Sequence, residues 1–322
     1  MLQNKFSDVY FRKMIYTLTL NPSLDRTIYI ERLARDDKNI ILHEEYYAGG
    51  KGIDVSRVIK ALGGQTVIMG LSGGYDGAYL EGILINEGLT IDFVRTAGNT
   101  RTNIIIHCVS TKEQFSINAP GPVISPSELG ILYDKLMRLS PKPSFFVASG
   151  SVPRGVSSEV YKQLGSPLSS AGVKVVVDTD GDALRSAISI PPFMVKPNIH
   201  ELERLAGHRL SGIDDVVREA KRLVEMGIKY VVVSMGKKGL VVAGENELFR
   251  VIPPEVQVVT TTGAGDATVA GIIFSLDKGE SIKEAARFGA ACGTATTISP
   301  GTATMRREDV KRIIGEVVVQ EL

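Results

Sequence analysis

Short apolar runs recur along the chain between glycine, proline and aspartate residues. They lie at 15–20, 66–71, 145–148, 173–177 and 230–235, and their apolar positions are consecutive rather than alternating with polar ones. Such runs are typical of parallel strands that are buried on both faces of a sheet. The pattern therefore predicts a sheet that is covered by other elements on both sides.

Helical periodicity follows several of these runs, and glycine often ends it. Spacings of i, i+3, i+4 and i+7 precede Gly63, Gly227 and Gly279, which are placed to end the helices. The residues concerned are Val55, Val58, Ile59 and Leu62, then Val217, Ala220 and Val224, and then Val269, Ile272, Ile273 and Leu276. Strands that alternate with helices predict an α/β fold, in which a doubly wound, mostly parallel sheet is flanked by helices.

Two stretches have a different pattern. Residues 27–48 and 102–119 indicate strand pairs with interspersed polar residues, which is typical of a half-exposed antiparallel sheet. We expect a small β-rich lid over the strand ends of the main sheet, where open α/β folds bind ligands. Residues 1–13 are polar and patterned sequence begins at Met14, so we expect a disordered tail or a misassigned start, followed by one domain over 14–322.

Composition and charge exclude several classes of protein. With 43% hydrophobic and 23% charged residues among 322, the chain is neither disordered nor collagen-like. A net charge of +1 gives no indication of a nucleic-acid or membrane partner. The two cysteines, Cys108 and Cys292, are too few for a disulfide framework or a thiolate zinc site. The N-terminus lacks the apolar segment of a signal peptide, so we expect a cytoplasmic protein.

A glycine-rich segment at 260–266 opens the helical pattern that runs to about Leu276. Gly263, Ala264 and Gly265 allow the backbone to approach an anion, and a helix start presents free N–H groups. Asp266 is placed to take a proton from an attacking hydroxyl, so the segment suits phosphoryl transfer. The alternative is a plain glycine turn with Asp266 as the N-cap.

A second glycine-rich segment, 48–57, also leads into a helix. Gly49 and Gly50 allow close contact with a ligand, while Lys51 and Asp54 lie on one helical face. The alternative is a glycine turn followed by an exposed, salt-bridged first turn.

The segment 196–203 follows an apolar run and turns sharply at Pro197. Asn198 and Glu201 can then face one site, where an amide oxygen and a carboxylate suit Mg²⁺ held through water. The alternative is a capping box that only begins a helix. No P-loop motif is present, and the four histidines show no metal-ligand spacing.

In this order, six segments resemble the PfkB family of sugar kinases: 19–26, 49–52, 149–156, 196–202, 233–239 and 262–266. The resemblance extends from Met14 to near the C-terminus, and it is greatest to the branch that acts on phosphorylated hexoses. It implies a ribokinase-like fold, ATP and Mg²⁺ as cofactors, a sugar phosphate as the substrate, and a homodimer formed through the lid.

The resemblance also implies roles for individual residues. Asp266 corresponds to the catalytic base, with the backbone of Gly263, Ala264 and Gly265 as the anion hole. Arg101, helped by Lys38, corresponds to the anchor of the existing phosphate. The rest of the substrate site comprises Asp25, Gly49, Gly50, Lys51, Asp54 and Ser149. The nucleotide site comprises Lys196, Asn198, Glu201, Ser234, Gly236, Gly239, Thr262, Ala290, Gly293 and Thr294, and Asn198 and Glu201 would serve Mg²⁺ through water.

The chain departs from this branch at three positions. Asp54 stands where the branch usually has Asn, Thr260 replaces a usual Asp or Asn, and Ile40 stands where tagatose-6-phosphate kinases often carry Arg. Ile40 favours 1-phosphofructokinase activity, whereas the stretch 299–304 resembles the minor 6-phosphofructokinase. We expect conversion of fructose 1-phosphate to fructose 1,6-bisphosphate. The alternatives are a tagatose-6-phosphate kinase or 6-phosphofructokinase, or a sugar or nucleotide sensor without catalysis.

Overall fold

The computed structural model describes residues 14–299 and 305–322, which contain two sheets and their flanking helices. The strands are β1 (Ile15–Thr19), β2 (Ser23–Ile30), β3 (Ile41–Gly49), β4 (Thr66–Gly73), β5 (Thr90–Thr96), β6 (Arg101–Cys108), β7 (Gln114–Ile117), β8 (Phe145–Ser149), β9 (Lys174–Asp178), β10 (Met194–Val195), β11 (Tyr230–Ser234), β12 (Leu240–Gly244), β13 (Leu248–Ile252) and β14 (Val318–Glu321). The helices are α1 (Lys51–Ala61), α2 (Gly74–Asn86), α3 (Pro126–Met137), α4 (Val160–Ser170), α5 (Gly181–Ala187), α6 (Ile199–Ala206), α7 (Ile213–Glu225), α8 (Ala264–Asp277), α9 (Ile282–Thr297) and α10 (Arg307–Ile313).

The large sheet has ten strands in the order β14-β13-β12-β11-β10-β9-β8-β1-β4-β5. All neighbours from β11 to β5 are parallel, and β12, β13 and β14 extend the sheet with antiparallel pairs. This arrangement confirms the prediction of a doubly wound, mostly parallel sheet. The predicted runs at 15–20, 66–71, 145–148, 173–177 and 230–235 form β1, β4, β8, β9 and β11.

Helices cover both faces of the large sheet, and strand β8 shows why its residues are consecutively apolar. Phe146 and Ala148 pack into the core layer that contains helices α3 to α7. Phe145 and Val147, their neighbours in the chain, pack into the opposite layer with α1, α8, α9 and α10. Because successive side chains of a strand point to opposite faces, a strand between two such layers needs apolar residues at every position.

The small sheet has the order β3-β2-β6-β7 and is formed by the two stretches with the different pattern. The outer pairs, β2–β3 and β6–β7, are antiparallel as expected, but the central pair β2–β6 is parallel. The expectation of a wholly antiparallel sheet is therefore wrong. The reason is that β2 continues from β1, and β6 from β5, so both strands leave the same edge of a parallel sheet.

Two sequence-based expectations fall outside the described residues. They concern the nature of residues 1–13 and the stretch 299–304, of which only Ser299 is described. Among the residues that the structure describes, no helix is both long enough and apolar enough to cross a membrane.

Candidate active site

Helix α8 begins within the glycine-rich segment 260–266, which contains the predicted catalytic base Asp266. Gly263 is its N-cap residue and has a left-handed backbone, with φ of 78°. Ala264 and Gly265 follow as the first helical residues, so their N–H groups belong to the free end of the helix. Asp266 lies in the first turn rather than at the cap, so the alternative of an Asp266 N-cap is wrong.

The Asp266 carboxylate is buried, with 9% of the residue exposed. Burial raises its pKa well above the ordinary value of 3.8, and the charges of Asp54 and Asp178 raise it further. Lys51 and Lys196 act in the opposite direction without cancelling this shift. A carboxylate with a raised pKa holds a proton more strongly, which suits a general base that works near neutral pH.

Asp178 forms the centre of a buried charge cluster beside Asp266. Lys51 Nζ lies 3.1 Å from Asp178 Oδ1, and Lys196 Nζ lies 3.5 Å from Asp178 Oδ2. Burial acts to raise the pKa of Asp178, but Lys196 and Lys51 outweigh it, and the net pKa lies below the usual range. The sequence reasoning missed Asp178, although it directly follows the apolar run at 173–177, at the carboxyl end of a strand where ligands bind.

The first turn of α1 differs from the expected arrangement. Lys51 pairs with Asp178 and lies 3.8 Å from Glu201 Oε1, rather than pairing with Asp54. Asp54 Oδ1 instead accepts hydrogen bonds from Tyr47 Oη at 2.7 Å and from Arg57 Nη1 at 2.9 Å. The alternative of an exposed, salt-bridged first turn is therefore wrong, because Asp54 is buried and pairs with Arg57, and Lys51 finds its partner on β9.

Asp25 lies on β2 and faces the same region. Its Oδ1 accepts a hydrogen bond of 2.7 Å from Asn103 Nδ2, and burial is the main reason why its pKa is raised. The Asp25 carboxylate also lies so close to Gly49 that a Cβ at that position would collide with it. Glycine at 49 therefore leaves the space that the Asp25 carboxylate occupies in this orientation.

Arg101 begins β6 and is half-buried near Asp25. Its Nη1 and Nη2 donate to the carbonyl oxygens of Ala119 and Asn21, each at 3.1 Å, while its Nε is buried without a partner. The two carbonyl bonds fix the plane of the guanidinium. The second N–H of Nη1 and of Nη2 has no acceptor among the described residues.

The structure places two other predicted substrate residues in contrasting surroundings. Lys38 is exposed on the loop between β2 and β3, and its Nζ has no partner within the described chain. Ser149 is fully buried at the end of β8, and its Oγ has no hydrogen-bond partner there. Of these two residues, only Ser149 is therefore held in place by the surrounding fold.

A cleft of about 420 Å³ opens beside the start of α8. Most of the predicted nucleotide residues line it: Ser234, Gly236, Gly239, Ala290, Gly293 and Thr294, together with Ala264 and Gly265. Thr262 is not among the lining residues, and its neighbour Thr261 takes that place. The sequence reasoning missed the opposite wall, which is formed by Pro253, Pro254, Glu255, Val256 and Val258. An apolar cleft that ends at free helix N–H groups fits a nucleotide with its phosphates at the helix.

Asn198 and Glu201 form a capping box at the start of α6. Asn198 Oδ1 accepts from Glu201 N at 2.9 Å, and Glu201 Oε2 accepts from Asn198 N at 2.8 Å. The structural alternative is therefore confirmed for these two residues. It leaves Glu201 Oε1 directed towards Lys51.

The acidic residues fit Mg²⁺ only in a particular way. In residues 14–299 and 305–322, no three His, Cys, Asp or Glu side chains come together as a ready-made metal site. Mg²⁺ in nucleotide sites is commonly held by one or two carboxylates, several waters and the phosphates themselves. Glu201 suits such a partial ligand set, because the capping box uses only its Oε2, whereas the neighbouring Asp178 is already paired with Lys51 and Lys196.

Comparison with known proteins agrees with this geometry. Residues 18–309 match the pfkB family carbohydrate kinase domain. The chain is 36% identical to a 1-phosphofructokinase of Borreliella burgdorferi, over 96% of this chain and 99% of that protein. It is 34% identical to the ATP-dependent 6-phosphofructokinase isozyme 2 of Escherichia coli, over 93% and 97% of the two chains.

Solved structures give the same result. The phosphofructokinase-2 of Escherichia coli in complex with potassium superposes with a TM-score of 0.90 at 33% identity, covering 94% of this chain and 99% of that one. A ribokinase of Thermotoga maritima, at 20% identity and a TM-score of 0.74 over 94% and 99% of the two chains, shares the fold. The chain has a ribokinase-like fold, and it belongs to the PfkB family of carbohydrate kinases, which are phosphotransferases.

Proposed function

We propose that the protein transfers the γ-phosphoryl group of ATP to a primary hydroxyl of a phosphorylated ketohexose, with fructose 1-phosphate as the preferred acceptor. The position of Asp266 carries this proposal. Its chain neighbours Ala264 and Gly265 line the nucleotide cleft. Its carboxylate is close enough to Asp54, on the sugar side, for the charge of Asp54 to raise its pKa. A base between a nucleotide and a polyol is the arrangement that phosphoryl transfer requires.

The chemistry follows from the groups around α8. The acceptor hydroxyl gives its proton to Asp266 while its oxygen bonds to the γ-phosphorus, and the bond between that phosphorus and the β,γ-bridging oxygen breaks. The N–H groups at the start of α8 and the ammonium group of Lys196 stabilise the charge of the transferring group. Mg²⁺, held through water by Glu201 and Asn198, would supply further neutralisation of the phosphates.

The other end of the sugar would be held by the small sheet. Arg101 has free N–H groups for the existing phosphate, with Lys38 as a helper, and an arginine suits a phosphate because it can form two parallel bonds. Asp25 and Asp54 would accept hydrogen bonds from ring hydroxyls, as would Ser149 with its unpartnered Oγ. The phosphate and the reacting hydroxyl then lie at opposite ends of the furanose.

The choice among hexose phosphates rests on fewer contacts. Ile40 is exposed and uncharged on the loop that also carries Lys38, so it offers nothing to a phosphate. This favours fructose 1-phosphate over tagatose 6-phosphate and fructose 6-phosphate. Losing one arginine contact is worth about 1.5–3 kcal/mol, so we expect preference rather than exclusion.

An ATP-consumption assay with these three sugar phosphates tests the proposal. We expect kcat/KM to be highest for fructose 1-phosphate, and we expect Asp266→Asn to abolish most of the turnover. A 6-phosphate that wins by about tenfold or more would reverse the substrate choice but not the kinase assignment. Tight binding of a sugar phosphate without any ATP consumption would instead indicate the sensor without catalysis.

We further propose that two copies associate through the small sheet in the cytoplasm. Leu42, Phe115 and Ile117 expose apolar side chains on its strands. Phe115 and Ile117 lie on one face of β7 and Leu42 lies on β3, the opposite edge strand, and exposed apolar groups on a sheet favour association. Sedimentation of the wild type and of Ile117→Asp tests this, and we expect a dimer that the substitution weakens.

A further inference from the structure

The Asp54 carboxylate is held by two side chains that have no role in the proposed chemistry. Tyr47, at the end of β3, donates its hydroxyl to Asp54 Oδ1 at 2.7 Å. Arg57, one turn further along α1, donates Nη1 to the same oxygen at 2.9 Å. Within the part of the chain that is described, no group donates to the other oxygen, Oδ2.

The Arg57 guanidinium is itself fixed on every side. Its Nε and Nη2 hold the Glu87 carboxylate at 2.7 and 3.1 Å, and its Nη1 also donates to the Ala48 carbonyl at 2.7 Å. Its plane lies over the Tyr47 ring at 4.0 Å from the ring centre. The Arg57 side chain is only 11% exposed, so water does not compete for these bonds. The Arg57 guanidinium is therefore held in one orientation, and its hydrogen bond to Asp54 Oδ1 holds the Asp54 carboxylate in place.

The charges around Asp54 explain why it needs such support. Burial raises its pKa to about 6, and Asp25 adds to this, whereas Arg57 and Tyr47 act to lower it. A third carboxylate, Asp266, interacts with Asp54 by charge repulsion, which raises the pKa of Asp266. Without its two partners, Asp54 would take up a proton more readily and become a hydrogen-bond donor as well as an acceptor.

We propose that Arg57 and Tyr47 are positioning residues of the sugar site, which fix Asp54 so that its free Oδ2 accepts a hydrogen bond from a ring hydroxyl of the sugar phosphate. This inference rests on the proposed function. A fixed, ionised oxygen can only accept, so it favours a sugar that carries a hydroxyl at that position over one that lacks it.

The test separates positioning from packing by comparing steady-state constants. Tyr47→Phe keeps the ring under Arg57 and removes only the hydroxyl. We expect it to raise the KM for the sugar phosphate about 3- to 10-fold, while kcat and the KM for ATP stay within about twofold. Arg57→Lys should act in the same direction. Arg95→Met is the matched control, because it removes an exposed Arg–Glu ion pair that lies outside the site.

A double-mutant cycle supplies the decisive readout. In an Asp54→Asn background the amide has no charge to preserve, so Tyr47→Phe should change the KM by less than about twofold. An equal loss in both backgrounds would show that Tyr47 only packs against its neighbours, and would overturn the positioning role. The same cycle with Arg57→Met adds a second measure if that variant folds; if it does not, the Tyr47 cycle decides alone.

The pH dependence distinguishes the two roles in another way. The charged and titratable groups that face Asp54 are Arg57, Tyr47, Asp25 and Asp266, and only Tyr47→Phe removes a donor without removing a charge. The rise in sugar KM at low pH should therefore begin at a higher pH in Tyr47→Phe than in the wild type, and a superimposable profile would contradict the inference. A wild type that phosphorylates no sugar phosphate refutes the proposed function and the positioning role with it. A wild type that does, with a purely additive cycle, refutes the positioning role alone.

Discussion

Asp266→Asn removes the proposed base with the smallest possible change of shape. The amide has the same size as the carboxylate, but it cannot take a proton from the acceptor hydroxyl. Other carboxylates are not free to replace it, because Asp178 is held by Lys51 and Lys196, and Asp54 by Tyr47 and Arg57. Loss of a general base lowers turnover by roughly 10²–10⁴-fold, and we expect kcat to fall in that range.

The same substitution should stabilise the protein. The pKa of Asp266 is raised in the folded state, so its ionisation costs more there than in the unfolded chain, where the pKa is near 3.8. This cost develops as the pH rises from 3.8 through the raised pKa, and it remains at all higher pH. Asparagine removes it. We expect a gain of about 1 kcal/mol at neutral pH, or about 2 °C in Tm.

The two effects are measured together by steady-state kinetics and by thermal unfolding at two pH values. We expect the gain in Tm at pH 8 and its disappearance well below pH 3.8, where Asp266 is largely protonated in both the folded and the unfolded state. The KM for ATP should stay unchanged, because the nucleotide cleft is not altered. Near-normal turnover would remove Asp266 from the mechanism, and a Tm that falls equally at both pH values would refute the electrostatic reasoning.

Three further predictions concern the two ends of the substrate and the nucleotide. Arg101→Ala should weaken binding of the sugar phosphate by about 1.5–3 kcal/mol and leave the KM for ATP unchanged; an unchanged sugar KM would show that the phosphate binds elsewhere. Gly293→Val should raise the KM for ATP, because a Cβ at this position would collide with Thr268 Oγ1 and lie 3.0 Å from the Ala264 carbonyl oxygen, and both residues line the nucleotide cleft; ATP titration of the folded variant tests this. Because the pKa of Asp54 is about 6, the KM for the sugar phosphate should rise as the pH falls below 6. Part of this rise comes from titration of the substrate phosphate, and Asp54→Asn should lose the remaining part. If the wild type and Asp54→Asn have the same pH profile of sugar KM, Asp54 does not bind the sugar.

The sequence predicted the large sheet well because its strands are marked by local composition. Most positions of each central run are apolar, because a strand covered by helices on both faces of the sheet has few side chains that face solvent. The pairing within the small sheet was not predictable in the same way. Strands β2 and β6 pair in parallel, with Asp25 opposite Asn103. These two strands are far apart in the chain, so no local sequence pattern could predict that they pair.

The sequence predicted many of the residues that lie at the site, but not which side chains pair with one another there. The capping box at Asn198 is a local motif, and both it and the start of α8 were correctly anticipated. Asp178 and the ion pair of Lys51 depend on tertiary contacts between α1 and β9, so helical spacing alone suggested the wrong partner for Lys51. The roles of Arg101 and Asp266 stay predictions until kinetics tests them.

The small sheet is joined to the large one by four stretches of chain, and this has a consequence for how such a kinase can change. The crossings run from β1 to β2, from β3 to α1, from β5 to β6 and from β7 to α3. Apart from Ser149 on β8, the residues proposed to recognise the sugar lie on these strands or beside the crossings. The residues proposed for transfer lie outside the small sheet, at the start of α8 and at Lys196 and Glu201. Substrate preference can therefore diverge by substitutions in the small sheet while the transfer apparatus stays intact, and related enzymes with different acceptors need share only the second part.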